Sequence, residues 1–327
     1  MEKELSLLER VRQDDVLLSL WNCLPPEAQR EFLEIDRGQR VPDLLNDTIF
    51  KNIFDPDEHG ERLSQFVSSI LGKKVTVLHS LSSEGRRHSV YSKGIILDLV
   101  VQFEDGSIGN VEIQRYGVAF PPQRAACYSA DLVKRQYAVM EGEKKEDMDY
   151  ENIQPVYTIV IMEDSPVPFS ASDHYVHHFR QMSDSGVELE LLQYYDYICL
   201  DKFREKMPRT MGELEKWLTF LSIRDVRDMV IFLSKNPSFQ PVYDCAILMT
   251  KDREGLMHML TDFFEREDIV ASLNRTNETK IKKLKKELAE KDNMLAEKDG
   301  ALAEKDALLA EKDAHIESLQ RKLADIP

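Results

Sequence analysis

The sequence predicts an α/β protein with an αβββαβ core, in which a mixed sheet packs against helices. Three observations support this prediction. An amphipathic helical stripe precedes three strand-like stretches, and an Asp105-Gly106 turn joins the last two of them. A second helical stretch then leads into a continuous β-branched run over residues 153–164. A helical extension and a C-terminal coiled coil are predicted to follow the core.

The composition divides the chain into four predicted segments. Residues 1–45 read as an N-terminal helical segment, and residues 46–169 hold the αβββαβ core. Residues 170–275 carry mostly helical periodicity and are predicted to be a helical extension. Residues 276–327 hold a heptad repeat.

The first helix of the core is predicted from a stripe of apolar residues that ends at a glycine. The stripe follows the i, i+3, i+4, i+7, i+8 spacing of one helix face. Gly72 is a typical helix stop because glycine adopts the left-handed conformation without strain. The stripe consists of Leu63, Phe66, Val67, Ile70 and Leu71.

The stretch GIILDLVVQFEDGSIGNVEIQ, residues 94–114, reads as a hairpin of two strands. Because successive strand residues alternate in face, antiparallel pairing about a turn near Asp105 sets Asp98 opposite Glu112 on one face. Like charges directly opposite each other destabilise a sheet, so this pair calls for a cation such as Mg²⁺. Two alternatives stay open, namely a one-residue register slip and an ordinary exposed acidic face.

The last strand of the core follows a helical stretch that Pro121-Pro122 opens and Gly142 closes. A helical connection between two strands permits them to run parallel, which antiparallel hairpin turns do not. The strand over residues 153–164 is therefore predicted to lie parallel to an earlier strand, in a mixed sheet.

Charge and cysteine content exclude some classes of protein. The chain of 327 residues carries a net charge of −16, which argues against broad, non-specific adhesion to nucleic acid. Its four cysteines include no CxxC pair, which indicates a reduced, cytoplasmic protein. The charged N-terminus does not resemble a signal peptide, and no apolar run approaches the length of a membrane span.

The C-terminal segment repeats LAEKD at a spacing of seven residues, which indicates a coiled coil and a homo-oligomer. The second core position of each heptad is polar, however, so the predicted self-association is weak, and a single solvated helix is the alternative. The apolar row consists of Leu288, Leu295, Leu302, Leu309, Ile316 and Leu323.

An acidic residue on one strand, followed after a turn by Glu-x-Gln, resembles the PD-(D/E)XK nuclease superfamily. The glutamine variant looks like its Rpn branch, the recombination-promoting nucleases and nuclease-family transposases. Four more segments agree in order across residues 45–205: DTIFKNIF, RAACYSADLVKRQ, PVYTIVIMED and, more loosely, YICLDKF. The resemblance implies a restriction-endonuclease-like fold, DNA as the substrate, and Mg²⁺ or Mn²⁺ as the cofactor.

The resemblance also implies roles for individual residues. Asp98 and Glu112 would bind the metal, with the backbone carbonyl of Ile113 as a further ligand. Gln114 stands where the superfamily usually has lysine, and it would orient water or phosphate without supplying charge. Glu61, or else Glu58, would be a third carboxylate from the first helix, although both also read as solvated residues.

Arg124 and Tyr128 are implied to bind substrate, with Arg124 gripping a phosphate at the start of the second helix. The alternative for Arg124 is a surface ion pair with Asp131 or Glu112. The sequence thus predicts a Mg²⁺-dependent DNA endonuclease. The competing hypothesis is a weak or inactive nuclease-fold protein that serves as an interaction and assembly module.

Overall fold

The computed structural model contains eleven α-helices and six strands in the part of the chain that it describes. Described are residues 6–81, 98–117, 120–143, 150–187, 189, 191–206 and 210–324. The helices are α1 (Leu7–Arg12), α2 (Asp15–Cys23), α3 (Pro26–Asp36), α4 (Asp47–Ile53), α5 (Pro56–Leu71), α6 (Pro122–Glu143), α7 (Leu200–Glu205), α8 (Glu213–Ser222), α9 (Val226–Lys235), α10 (Gln240–Lys251) and α11 (Arg253–Ala324). The strands are β1 (Val77–Ser80), β2 (Leu99–Phe103), β3 (Ile108–Tyr116), β4 (Val156–Asp164), β5 (Val176–Phe179) and β6 (Gln193–Cys199).

The six strands form one mixed sheet in the order β1-β2-β3-β4-β6-β5. β1, β2 and β3 are antiparallel neighbours, and α6 then carries the chain to β4, which lies parallel to β3. This order confirms the predicted αβββαβ core and its mixed sheet. Residues 94–97 of the predicted hairpin lie outside the described residues.

The β2–β3 hairpin has the predicted register. Leu99 pairs with Val111 and Val100 pairs with Asn110, so one further step places Asp98 opposite Glu112. Gly106 has a φ of +83°, a conformation that glycine adopts without the strain a side chain would impose. The turn chemistry therefore fixes which residues share a face.

Two strands lie where the sequence predicted a helical extension. β6 pairs in parallel with β4, and β5 adds an antiparallel edge. β6 carries the sequence QYYDYIC, whose aromatic residues favour a strand. Helices do fill most of the chain that follows, from α7 onward.

The helices cover both faces of the sheet. On one face, α4, α5 and α8 bury a core that includes Phe50, Phe66 and Trp217. On the other face, α6 packs Tyr128 and Leu132 against the sheet. The first helices, α1 to α3, form a third core with the beginning of α11. A residue in β2 or β3 therefore faces one of two different helical layers.

Helix α5 shows why the predicted stripe becomes a buried helix. Asp55 caps its first turn by accepting hydrogen bonds from the N–H groups of Asp57 and Glu58, and Pro56 follows the cap. Gly72 ends the helix with a φ of +65°. The predicted stop is thus confirmed.

The chain divides into two compact units, Met1–Glu265 and Arg266–Pro327. The second unit, where it is described, is a single helix that forms the remainder of α11. The apolar side chains of its heptad row are exposed from Leu288 to Ile316, with Leu295 and Leu302 each 62% exposed. No helix in the described part of the chain is both long enough and apolar enough to cross a lipid bilayer.

Candidate active site

Asp98 and Glu112 meet at the open end of the β2–β3 hairpin. The backbone N–H of Asp98 donates to Glu112 Oε1 at 3.3 Å, and the backbone N–H of Ile113 donates to Asp98 Oδ2 at 3.0 Å. Glu112 is 1% exposed, whereas the side chain of Asp98 is 19% exposed. The two carboxylates predicted to share a site therefore lie side by side, one buried and one at the opening.

Burial changes the protonation of both carboxyl groups. Loss of solvent, reinforced by the charge of Asp98, raises the pKa of Glu112 to about 8. The N–H of Asp98, the amide of Asn110 and the charge of Arg124 lower that pKa but do not outweigh burial. Burial and the charge of Asp47 also raise the pKa of Asp98. Holding a buried and a partly buried carboxylate side by side is thus unfavourable until a cation joins them.

Helix α4 brings an acid and a base to Asp98 that sequence reasoning did not assign to the site. Lys51 Nζ lies 2.8 Å from Asp47 Oδ2 and 3.4 Å from Asp98 Oδ1. Burial lowers the pKa of Lys51, but the charges of Asp98 and Asp47 leave it raised overall. The i,i+4 spacing of Asp47 and Lys51 within DTIFKNIF was the available signal, since it puts both on one helix face.

Arg124 and Tyr128 form one unit on the first two turns of α6. Arg124 Nε donates to Tyr128 Oη at 2.6 Å, and its guanidinium lies 4.9 Å from the Phe120 ring centroid and 5.2 Å from that of Tyr128. Arg124 is exposed and its charge lowers the pKa of Glu112. The helix thus holds a cation against the two aromatic rings, close enough to Glu112 to lower its pKa.

Asp131 does not pair with Arg124, as one alternative had it. Asp131 instead accepts from Arg135 at 2.7 Å, one turn further along α6. The other alternative, proximity to Glu112, agrees with the effect of Arg124 on the Glu112 pKa. Arg124 therefore belongs to the surroundings of the carboxylate pair.

The structure does not bring Glu61 to the carboxylate pair. Glu61 and Glu58 are exposed on α5, and they line a cleft of about 420 Å³ with Trp217 and Val242. Neither Asp98 nor Glu112 lines that cleft. A carboxylate from a preceding helix does raise the pKa of Asp98, and it belongs to Asp47 on α4.

Gln114 follows Glu112 on the same face of β3 and is half-buried. Its side chain makes no hydrogen bond to any residue that the structure describes. An amide in this position can donate and accept hydrogen bonds but carries no charge. The positive charge near the pair comes from the two helices, through Lys51 on α4 and Arg124 on α6.

The donor set fits a hard divalent cation. Asp98 and Glu112 offer carboxylate oxygens, and the Ile113 carbonyl points to the same edge of β3 as its N–H, which faces Asp98. Within the described ranges no group of three or more His, Cys, Asp and Glu side chains is arranged to hold a metal. Mg²⁺ commonly uses one or two carboxylates and keeps several waters, so a pair of carboxylates suffices.

A family model described as PD-(D/E)XK nuclease family transposase matches residues 44–289. The match covers three quarters of the 327 residues and includes α4, the whole sheet and α6. The chain belongs to this family. Comparisons with curated proteins and with solved structures found no match.

Membership of the PD-(D/E)XK family confirms the resemblance predicted from the hairpin and its flanking segments. The match extends beyond residues 45–205 into the helices that follow the sheet and the first half of α11. PD-(D/E)XK nucleases generally use divalent metal ions, which agrees with the all-oxygen donor set at Asp98 and Glu112.

Proposed function

We propose that this chain is a Mg²⁺-dependent DNA endonuclease that hydrolyses phosphodiester bonds and promotes recombination or DNA mobility. The observation that carries the proposal is the contact between Asp98 and Glu112, two acids with raised pKa values on one face of a nuclease-family hairpin. Family membership supports nuclease chemistry, and the oxygen donors favour Mg²⁺, with Mn²⁺ as a substitute.

In this proposal Asp98, Glu112 and the Ile113 carbonyl hold the metal. A bound divalent cation supplies Lewis acidity and an activated water. Glu112 must lose its proton to act as a ligand, and Arg124 favours that loss because its charge lowers the Glu112 pKa. The N–H of Ile113 keeps the Asp98 carboxylate in place. Both acids are therefore oriented before substrate arrives.

The reaction consumes one water for each bond that is cut. The water oxygen joins phosphorus, the ester oxygen leaves, and one proton of the water ends on the leaving oxygen. Gln114 lies beside the pair, where its amide orients water or a phosphate oxygen. Arg124 binds a neighbouring phosphate, with Tyr128 fixing its guanidinium through the hydrogen bond at 2.6 Å.

The acidic surface limits how DNA is held. With a net charge of −16, the chain cannot rely on a broad basic footprint, so a bound cation and a few basic side chains must attract the phosphates. Affinity in the absence of divalent metal is then weak. Metal binding and DNA binding are expected to be mutually dependent.

A plasmid-nicking assay with Mg²⁺ tests the endonuclease. Wild-type chain is expected to convert supercoiled plasmid to nicked or linear forms, and D98A and E112A are expected to lose that activity. E104Q is a matched control, because Glu104 is exposed at the other end of the same hairpin. Undiminished nicking by both D98A and E112A would exclude this site.

The second candidate function is a nuclease fold that serves as an interaction and assembly module without efficient catalysis. The neutral Gln114 and the uncovered apolar row of α11 favour it. Calorimetry separates the two functions. A folded chain that takes up neither Mg²⁺ nor Mn²⁺ would support the second candidate over the endonuclease.

We also propose that the C-terminal helix joins two copies of the chain. Exposed leucines at heptad spacing are covered when a second helix packs along them. Each leucine is followed by Lys at i+3 and Asp at i+4, so one basic and one acidic row flank the apolar row on opposite sides. In a parallel pair the basic row of one helix faces the acidic row of the other.

In an antiparallel pair of the same helices, the basic row would face the basic row and the acidic row would face the acidic row. Charge complementarity therefore favours the parallel arrangement, with the leucines in register. Because the repeat is seven residues long, its copy number can change without altering the register, so the helix can also act as a spacer.

A further inference from the structure

Helix α4 holds Lys51 in a fixed position relative to the carboxylate pair. Asn46 caps the helix by accepting from the N–H of Ile49 at 3.2 Å, and its amide donates to Asp262 at 3.0 Å. Three apolar side chains of α4 are buried in the core beneath it. Lys51 projects from the remaining face, one turn after Asp47, with a third of its side chain exposed. Its position is therefore set by the fold and not by a flexible surface segment.

The contact between Lys51 and Asp98 joins two elements that are distant in the sequence. An i,i+4 pair with Asp47 forms on many exposed helices and needs no further partner. Here the same ammonium also lies 3.4 Å from Asp98 Oδ1, while Asp98 Oδ2 accepts from Ile113. A phosphate that approaches Asp98 thus comes within reach of Lys51.

Phosphodiester hydrolysis requires positive charge at the phosphate. Negative charge accumulates on the phosphate oxygens in the transition state, and a fixed cation aimed at them stabilises it. Gln114 cannot supply that charge because its amide is neutral. Arg124 is bound to Tyr128 and lies against two aromatic rings on the α6 side. Among the residues that the structure describes, Lys51 is the cation that forms an ion pair with a proposed metal ligand.

We propose that Lys51 is a catalytic residue of this site, whose ammonium contacts the scissile phosphate and stabilises its developing charge. The proposal rests on the endonuclease function proposed above. It assigns to helix α4 the positive charge that Gln114 does not supply. Asp47 is then a positioning residue, since its carboxylate orients Lys51 from one turn away.

A purely structural role for Lys51 makes a different prediction. If the lysine only neutralised Asp47 and Asp98, its removal would lower stability or metal affinity, and more Mg²⁺ would restore the rate. If it acts on the phosphate, its removal lowers the rate at saturating Mg²⁺ and leaves metal affinity largely intact. A lysine at position 114 would then compensate.

The test compares K51Q, K51R and the double variant K51Q/Q114K with wild type. Single-turnover cleavage of a labelled DNA duplex is measured at saturating Mg²⁺, together with Mg²⁺ affinity by calorimetry and thermal unfolding. K73Q is the control, because Lys73 is a half-exposed lysine that contacts Asp105 and Tyr157 at the hairpin turn.

K51Q is expected to lose about 100-fold or more in rate, the effect of removing one charged contact to the transition state. Its Mg²⁺ affinity and unfolding temperature should stay close to wild type, K51R should keep part of the rate, and K51Q/Q114K should regain at least about tenfold. A K51Q rate within threefold of wild type, or one restored by added Mg²⁺, would refute the catalytic role of Lys51 and would leave the endonuclease proposal standing. Absence of cleavage by wild-type chain that binds Mg²⁺ would refute the endonuclease and the role of Lys51 together.

Discussion

Asp98 and Glu112 approach each other across the β2–β3 hairpin, where the N–H of one donates to the carboxylate of the other at 3.3 Å. Each of these acids is costly to the fold when charged and unpaired, and burial raises the pKa of both. A folded protein keeps such a pair at the expense of stability. The proposed cation, by joining the two carboxylates, would offset this cost.

Removal of either carboxylate should abolish tight metal binding. D98N and E112Q keep the shape of the side chains but remove the charge that the cation needs. Calorimetry should show a drop in Mg²⁺ affinity of about 100-fold or more for each variant, since each removes one of two charged ligands. E104Q should bind as wild type does. Unchanged affinity in both site variants would place the metal elsewhere.

The stability of the metal-free chain should fall as the pH rises from about 5 to 8. The pKa of Glu112 is about 8 in the fold and near its ordinary value of 4.5 in the unfolded chain. Between these values the folded state binds more protons than the unfolded state, so the free energy of unfolding decreases with pH, by at most about 1.4 kcal/mol per pH unit.

Thermal unfolding of wild type and E112Q across this pH range measures the contribution of Glu112 together with its electrostatic interaction with Asp98. The wild-type unfolding temperature should decrease more steeply than that of E112Q. Saturating Mg²⁺ should flatten the wild-type curve, because the metal binds the deprotonated acid. Parallel curves for the two metal-free proteins would show that Glu112 is not buried as a neutral acid.

Asp47 and Glu61 should differ in their importance for cleavage. Asp47 contacts Lys51 and raises the pKa of Asp98, whereas Glu61 is exposed on a different cleft. D47N is expected to reduce the single-turnover rate by about tenfold or more, and E61Q to leave it within threefold. If E61Q lost more of the single-turnover rate than D47N, the third carboxylate of the site would be Glu61.

Arg124 should contribute to DNA affinity through a phosphate and without sequence preference. With Ca²⁺ in place of Mg²⁺, fluorescence anisotropy of a labelled duplex measures binding without relying on cleavage. R124Q should bind more weakly and should reduce the slope of log affinity against log salt by about 1. R135Q is the control, since Arg135 on the same helix pairs with Asp131. An unchanged slope in R124Q would mean that Arg124 contacts no phosphate.

The C-terminal helix should set the mass of the protein in solution. Light scattering is expected to give twice the 37.9 kDa of one chain for wild type, and one chain for the variant L295D/L302D, which puts charge in the apolar row. E297Q/E304Q changes neighbouring positions outside that row and should leave the mass unchanged. Equal masses for wild type, L295D/L302D and a chain lacking residues 276–327 would exclude pairing through the heptads.

The sequence predicted the hairpin pair because two local rules act together there. Side chains alternate with a period of two, and antiparallel pairing about a turn at Asp105-Gly106 puts Asp98 and Glu112 on one face, which the register of the hairpin bears out. The apolar stripe of α5 and its glycine stop also follow from residues close together in the sequence, so the sequence predicts them as well. β6 was missed because its aromatic run shows no clear apolar and polar alternation, and its pairing with β4 is a tertiary contact.

The role of Lys51 could not be read from the sequence. Its spacing relative to Asp47 is visible, but its approach to Asp98 depends on how α4 packs against the sheet. Glu61 illustrates the opposite case. Its helix was predicted correctly, yet Glu61 lines a cleft to which neither Asp98 nor Glu112 contributes. Residue spacing predicts a helix or strand and the face on which each side chain lies. Which side chains of two distant elements come into contact depends on how those elements pack.

The proposal that Asp98 and Glu112 share a metal is tested most directly by a crystal structure with Mn²⁺, whose anomalous scattering marks the ion. We expect one peak that lies about 2.1 Å from a carboxylate oxygen of Asp98 and from one of Glu112, the coordination distance of a small octahedral cation. D98N crystals grown in the same way should lack it. A peak bound to neither acid, or no peak at saturating Mn²⁺, would contradict the metal site.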